Sequence, residues 1–302
     1  MIKATNLSKL YRKKLAVDDL NFTIETGKVT GFLGPNGAGK STTMRLMLGL
    51  DYGKGDTTFD GKHLSEYERP SQVVGILLEA KAFHPTRSAR NHLRILAAAG
   101  NIPDSRVDEV LDIVGLTDVA RKKPGKFSLG MSQRLGIAAA ILGNPKYLLL
   151  DEPANGLDPE GIAWLREFLK DYASQGNAVF VSSHLLSEMA LMADDVVVIG
   201  KGKLITSTSI EGLEAGHAAV FVRSSKLDLL KKQLQARKIA FEVHKDGIKI
   251  ENATTDAVGK LAHANGIPIL ELANQKASLE DIFLELTEGE TEYQAHSAKA
   301  GK

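Results

Sequence analysis

Nine consecutive residues, Gly34-Pro35-Asn36-Gly37-Ala38-Gly39-Lys40-Ser41-Thr42, have the types and spacing needed to hold a chain of phosphates. They fit the phosphate-loop pattern of glycine, four residues, then Gly-Lys-Ser/Thr. Val29 to Leu33 before them reads as a buried strand, and Thr42 to Leu50 after them as a helix. A loop entering a helix N-terminus gathers free backbone N–H groups and the positive end of the helix dipole. Gly34, Gly37 and Gly39 let the backbone curl where a side chain would clash. In this reading Lys40 reaches the outer phosphates and the Ser41 hydroxyl ligates Mg²⁺.

A second element lies far downstream. Tyr147-Leu148-Leu149-Leu150 is an apolar run that ends in Asp151-Glu152. Strands buried on both faces of a parallel sheet read this way. Ligands gather at the C-terminal ends of such strands, so Asp151 is expected at the edge that carries the phosphate loop, as a Mg²⁺ ligand. Ala178 to Ser183 is another apolar strand, ending at His184. By position His184 is as compatible with a structural histidine as with one in the site. Tyr11, in a polar stretch ahead of the loop, is either a half-exposed tyrosine or a platform for a nucleotide base. Glu79 closes the apolar strand Val73 to Leu78 and is either a surface carboxylate or a group near the metal.

Strands alternating with helical segments predict an α/β domain with a mainly parallel sheet. Leu20, Phe22 and Ile24 alternate as in a half-buried antiparallel strand. Asn91 to Ala99 reads as a helix, Asp104 as the N-cap of the next, and Leu135, Ala138 and Ile141 as the buried stripe of a third. After Ser209 the pattern becomes β-α-β-β-α-β, with Asp246-Gly247 as a hairpin turn, which suggests a small α+β domain of the ferredoxin-like kind. Leu279, Ile282, Phe283 and Leu286 have helical spacing, and the polar tail 288–302 reads as disordered.

The 302 residues exceed one small core. The formal net charge of +1 gives no bulk attraction to nucleic acid or anionic lipid. The absence of cysteine removes disulfides, thiol catalysis and cysteine-ligated zinc. No apolar run approaches the ~20 residues that span a bilayer, and Met1 to Thr5 lacks the apolar core of a signal peptide. These features predict a cytoplasmic protein whose membrane role, if it has one, comes through a partner.

With these motifs in this order, the stretch Ile2 to Ser209 resembles the ATP-binding subunit of an ABC transporter. The resemblance implies a P-loop NTPase core with an antiparallel β subdomain and a helical subdomain at about 86–143, within a domain 1–209. A small domain at 210–287 and the tail 288–302 follow. It implies ATP and Mg²⁺ as ligands, with Gly34 to Thr42 as the phosphate loop and Tyr11 as the adenine-stacking aromatic. Ser128 and Gly130 fall in the signature loop, Glu152 is the catalytic glutamate, Asp158 lies in the loop that speaks across the dimer, and His184 is the switch histidine. The implied partners are a second ATPase subunit, identical in the simplest case, and a membrane permease. No nucleic acid is implied. The subunit would lie on the cytoplasmic face of the membrane. Two departures stand out. Phe127-Ser128-Leu129-Gly130-Met131 replaces the usual Leu-Ser-Gly-Gly-Gln, and Glu79 stands where the family has Gln. The second is similar to bacterial exporters of peptide antibiotics, of the lantibiotic and bacitracin type, and the C-terminal stretch Ser278 to Phe283 is similar to drug-export ATPases. A soluble ABC ATPase with a regulatory, nucleic-acid-associated or ribosome-associated role is the alternative reading. Such translation factors usually carry two ATPase modules in one chain, and this chain has one.

Overall fold

The computed structural model describes residues 1–184, 189–216, 219–251, 253–275 and 279–287. The expected disordered tail 288–302 and Ser278 lie outside the described residues. The chain divides into two compact units, the first Met1–Thr208 together with Thr287, the second Ser209–Leu286.

The first unit opens with two long strands, β1 (Ile2–Tyr11) and β2 (Lys14–Ile24), which form a three-stranded antiparallel sheet with β4 (Lys54–Phe59) in the order β2-β1-β4. They are longer than the short runs the sequence suggests because polar residues are absorbed as bulges. Asn6 and Asp19 take φ of 51° and 54°, and the Asn6 side-chain amide donates to Asp19 Oδ1 at 2.7 Å. These side-chain bonds replace part of the interrupted ladder. Leu20, Phe22 and Ile24 are buried, as their alternation requires.

The second sheet has six strands in the order β5-β6-β7-β3-β8-β9. These are β3 (Val29–Leu33), β5 (Val74–Leu77), β6 (Tyr147–Leu150), β7 (Ala178–Ser183), β8 (Asp195–Gly200) and β9 (Lys203–Ser209). β5–β6, β6–β7, β3–β7 and β3–β8 pair in parallel, so β3, β6 and β7 deliver their C-terminal ends to one edge. Phe22, Phe32 and Phe180 stack with centroids 4.8–5.9 Å apart and join the two sheets.

Helix α1 (Lys40–Met47) follows β3. Helices α2 (Ala89–Ala99), α3 (Ser105–Ile113) and α4 (Leu129–Ile141) follow β5. Asp104 does not cap α3 as expected. Its backbone is already helical, at φ −61°, and its carboxylate accepts from Arg94 Nε at 2.7 Å instead. Helix α5 (Pro159–Ser174) lies between β6 and β7.

The second unit carries β10 (Ala219–Ser224), β11 (Phe241–His244), β12 (Gly247–Glu251) and β13 (Ile269–Gln275) in an antiparallel sheet ordered β11-β12-β10-β13. Helices Leu227–Ala236 and Thr255–Ala264 supply Leu230, Leu234, Val258 and Ala262 to a core with Val220, Val222, Ile248 and Ile250. The hairpin turn falls one residue earlier than the sequence suggests. His244 pairs with Gly247, which leaves Lys245-Asp246 as the loop. A Cβ on Gly247 would stand 2.5 Å from the Val222 carbonyl oxygen, so this glycine serves close strand packing instead of the turn.

Candidate functional site

The five residues of β3 are all buried and aim the chain at the sheet edge, where the phosphate loop turns into α1. Gly39 holds φ of 105°, and a Cβ there would meet the Ala16 carbonyl oxygen at 2.5 Å, so the turn requires glycine. The first helical bond runs from Thr43 N–H to the Gly39 carbonyl. The amides of residues 40–42 precede it and remain on offer to an anion. Lys40 is 7% exposed. Its ammonium donates to the Gly34 carbonyl at 2.7 Å and stands 3.5 Å from Glu152 Oε1.

Glu152 is where the strand ends meet. Its φ of 48° is left-handed, an uncommon state for a residue with a Cβ. Such a conformation costs about 1–3 kcal/mol and persists only when neighbours hold it. Two neighbours do. Ser182, fully buried near the end of β7, accepts from the Glu152 N–H at 2.8 Å and donates to Asp151 Oδ1. Gln133 of α4 donates its side-chain amide to the Glu152 carbonyl at 2.9 Å. The Glu152 carboxylate, so aimed, lies between Lys40 and the His184 ring, whose Nδ1 is 2.8 Å from Oε2.

A cavity of about 390 Å³ is lined by Tyr11, Lys14, Ala16, Asn36 to Thr42 and Glu152. Tyr11 is fixed at its rim. Its hydroxyl donates to Asp51 Oδ2 at 2.8 Å, and that bond raises the hydroxyl above the ordinary tyrosine value, so it stays protonated. Lys9 sits 4.8 Å from the ring centroid. Ser41, Glu79 and Asp151 share the lining of a neighbouring, larger and mostly apolar cavity of about 920 Å³ with Phe83, His92 and Leu135. Among the described residues no cluster of three or more His, Asp or Glu side chains could hold a metal unaided.

The remaining expected residues lie elsewhere in the same unit. Ser128 caps α4 by accepting from the Met131 N–H at 3.1 Å. A Cβ on Gly130 would come within 2.9 Å of the Gly156 carbonyl, so the start of α4 lies against the turn before α5. The half-exposed Leu129, in place of a small residue, leans on Gly156. Asp158 caps α5 by accepting from the Gly161 N–H at 2.9 Å. None of these three lines the phosphate-loop cavity. Sequence reasoning missed Ser182 and Gln133. The available signals were a polar end on an otherwise apolar strand, and a glutamine i, i+4 from Ile137 on the buried stripe of α4.

Comparison with known proteins decides the family. Residues 17–155 match the ABC transporter family profile, and residues 218–280 match a domain of unknown function (DUF8746). The chain is 38% identical to the uncharacterized ABC transporter ATP-binding protein YhcH of Bacillus subtilis, over 99% of each chain. This protein belongs to the ABC transporter ATP-binding proteins. It is 37% identical to the bacitracin transport ATP-binding protein BcrA of Bacillus licheniformis, over 96% of this chain and 98% of that one. It is 38% identical to the lantibiotic transport ATP-binding protein SrtF of Streptococcus pyogenes, over 71% and 93%. A solved ATP-binding subunit of an ABC transporter superposes with a TM-score of 0.65 at 25% identity, over 71% of this chain and 92% of that one. A bacterial ABC transporter cassette solved as a dimer shares the fold, with a TM-score of 0.64, 22% identity and coverage of 70% and 99%. The subunit is an ATPase of the P-loop fold, and no helix among its described residues is long and apolar enough to cross a membrane.

Proposed function

We propose that this ABC ATPase powers export of a peptide antibiotic, drug or lipid-like substrate through a separate membrane permease. The observation that carries the reading is the convergence of the phosphate loop, Tyr11 and Glu152 on one cavity. The names of the bacitracin and lantibiotic relatives support the substrate class.

In this reading adenine stacks on Tyr11, and residues 34–42 receive the phosphates. Lys40 exchanges its bond to the Gly34 carbonyl for the outer phosphates. Mg²⁺ fits the oxygen donors present: the Ser41 hydroxyl and the Asp151 carboxylate would hold it, with Glu79 on the same cavity. Bound there, the ion would neutralise phosphate charge. Glu152 orients the attacking water and accepts its proton. His184, bonded to Glu152, fixes that carboxylate and reaches toward the terminal phosphate. Ser128, Gly130 and Asp158 act across a dimer of two copies, since they lie away from this chain's own cavity. The permease holds the subunit on the cytoplasmic face, with Glu79 at the contact. Unit 209–286 is read as a ferredoxin-like accessory domain. No nucleic acid enters this scheme.

The test is purification of the tagged chain from detergent-solubilised membranes. One integral membrane protein should come with it, and cells carrying Lys40→Ala should lose resistance to peptide antibiotics of the bacitracin type. Recovery with ribosomes or nucleic acid alone, and unaltered resistance, would overturn the reading.

A further inference from the structure

Gln133 sits in the middle of the apolar side of α4 and is 3% exposed. Burying a side-chain amide is unfavourable unless both ends are bonded. Here only one end is. The Nε2 group donates to the Glu152 carbonyl at 2.9 Å, while Oε1 is buried with no partner. A leucine or methionine would fill this place without leaving a bare carbonyl oxygen. Packing therefore does not account for the glutamine, and the bond to Glu152 is its one gain.

That bond falls on the most demanding peptide in the site. Glu152 is left-handed, so its carbonyl and N–H point where neither a strand nor a helix would continue them. Ser182 holds the N–H from the adjoining strand and Gln133 holds the carbonyl from the helix. Two bonds on opposite sides of one residue fix its rotation, and with it the direction of the carboxylate between Lys40 and His184. Release of the carbonyl would let the peptide relax toward an ordinary φ and swing the carboxylate away. Gln133 is also five residues beyond Ser128, the cap of the same helix, roughly 7.5 Å along its axis. A shift of α4 is thus felt directly at the Glu152 backbone.

We propose that Gln133 is a positioning residue for ATP hydrolysis: its side-chain amide, reaching from α4, locks the left-handed backbone of Glu152 and so aims the carboxylate at the attacking water. The inference rests on the proposed role of Glu152.

The experiment compares the full chain with Gln133→Met, Gln133→Glu, Glu152→Gln and the double variant Gln133→Met/Glu152→Gln. Methionine keeps the volume and removes the donor. The ionised carboxylate of Gln133→Glu keeps the shape and presents an acceptor to an acceptor. It serves as the second variant if Gln133→Met does not fold. Each is assayed for kcat, KM and nucleotide affinity. The expected result is a fall in kcat of about tenfold or more, with KM and ATP affinity within about threefold. In the Glu152→Gln background the further change should vanish, because Gln133 acts only through Glu152. A Gln133→Met chain with parental kcat, beside a Glu152→Gln chain that has lost hydrolysis, overturns the proposal and leaves the role of Glu152 standing. An equal loss in both backgrounds makes Gln133 merely structural and also overturns it. Parental hydrolysis by Glu152→Gln instead removes the reading on which the proposal rests.

Discussion

Unit 1–208 and unit 209–286 treat their polar groups in opposite ways. In the first, Lys40, Gln133 and Ser182 are buried at the sheet edge and bonded to Glu152 or the phosphate loop. In the second, none of the buried described side chains is polar or charged. Among its ion pairs, Arg223–Glu271 lies in the open, at 46% and 44% exposure. Such a pair contributes about 0–1 kcal/mol, so the second unit is held by its apolar core. Both units place residues tightly, but the first does so to aim charged groups at the sheet edge and the second to close strands. The difference teaches where substitutions should change the reaction and where they should change only stability.

The largest effect on ATP is expected at Lys40. Lys40→Ala should weaken ATP binding by about 10- to 100-fold, the loss of a charge-assisted bond of roughly 1.5–3 kcal/mol, and abolish measurable hydrolysis. Titration calorimetry on the purified chain checks this. A smaller loss is expected at Ser182. Ser182→Ala strips a partner from both the Asp151 carboxylate and the Glu152 N–H. It should lower kcat about tenfold and stability by about 1–3 kcal/mol, read from ATPase assays and urea melts of the same protein. An unaltered kcat would mean that the clamp does not control the carboxylate. At the other end of the comparison, Gly247→Ala forces a Cβ against the Val222 carbonyl. It should destabilise unit 209–286 by about 1–3 kcal/mol while kcat and KM for ATP stay at the parental values below the melting temperature. A change in KM would break the contrast between the units.

Much of the first unit was legible in the sequence because its signals are local. The phosphate loop needs glycines at fixed offsets, and Asp151 follows a strand with no polar residue before it. That Asp151 and His184 lie at one edge agrees with the rule that ligands gather at strand ends, and the parallel pairing of β6 with β7 brings His184 to Glu152. What was hidden depends on distance in sequence. Gln133 reaches Glu152 from 19 residues away and Ser182 reaches it from 30, through a left-handed φ that no residue type announces. The hairpin at 245–246 was misplaced by one residue because Asp-Gly signals a tight turn, while the tertiary contact with Val222 drew the glycine into the strand. Asp104 read as a cap until Arg94, ten residues away on a neighbouring helix, claimed its carboxylate.

The central claim is that Glu152, held between Lys40 and His184, does the chemistry while the loop does the binding. Glu152→Gln keeps the shape and removes the base. The account predicts that the purified variant binds ATP within about threefold of the parent and loses hydrolysis by about 10²-fold or more, the range for a positioned general base. Parental turnover by this variant, or loss of binding together with turnover, would contradict it.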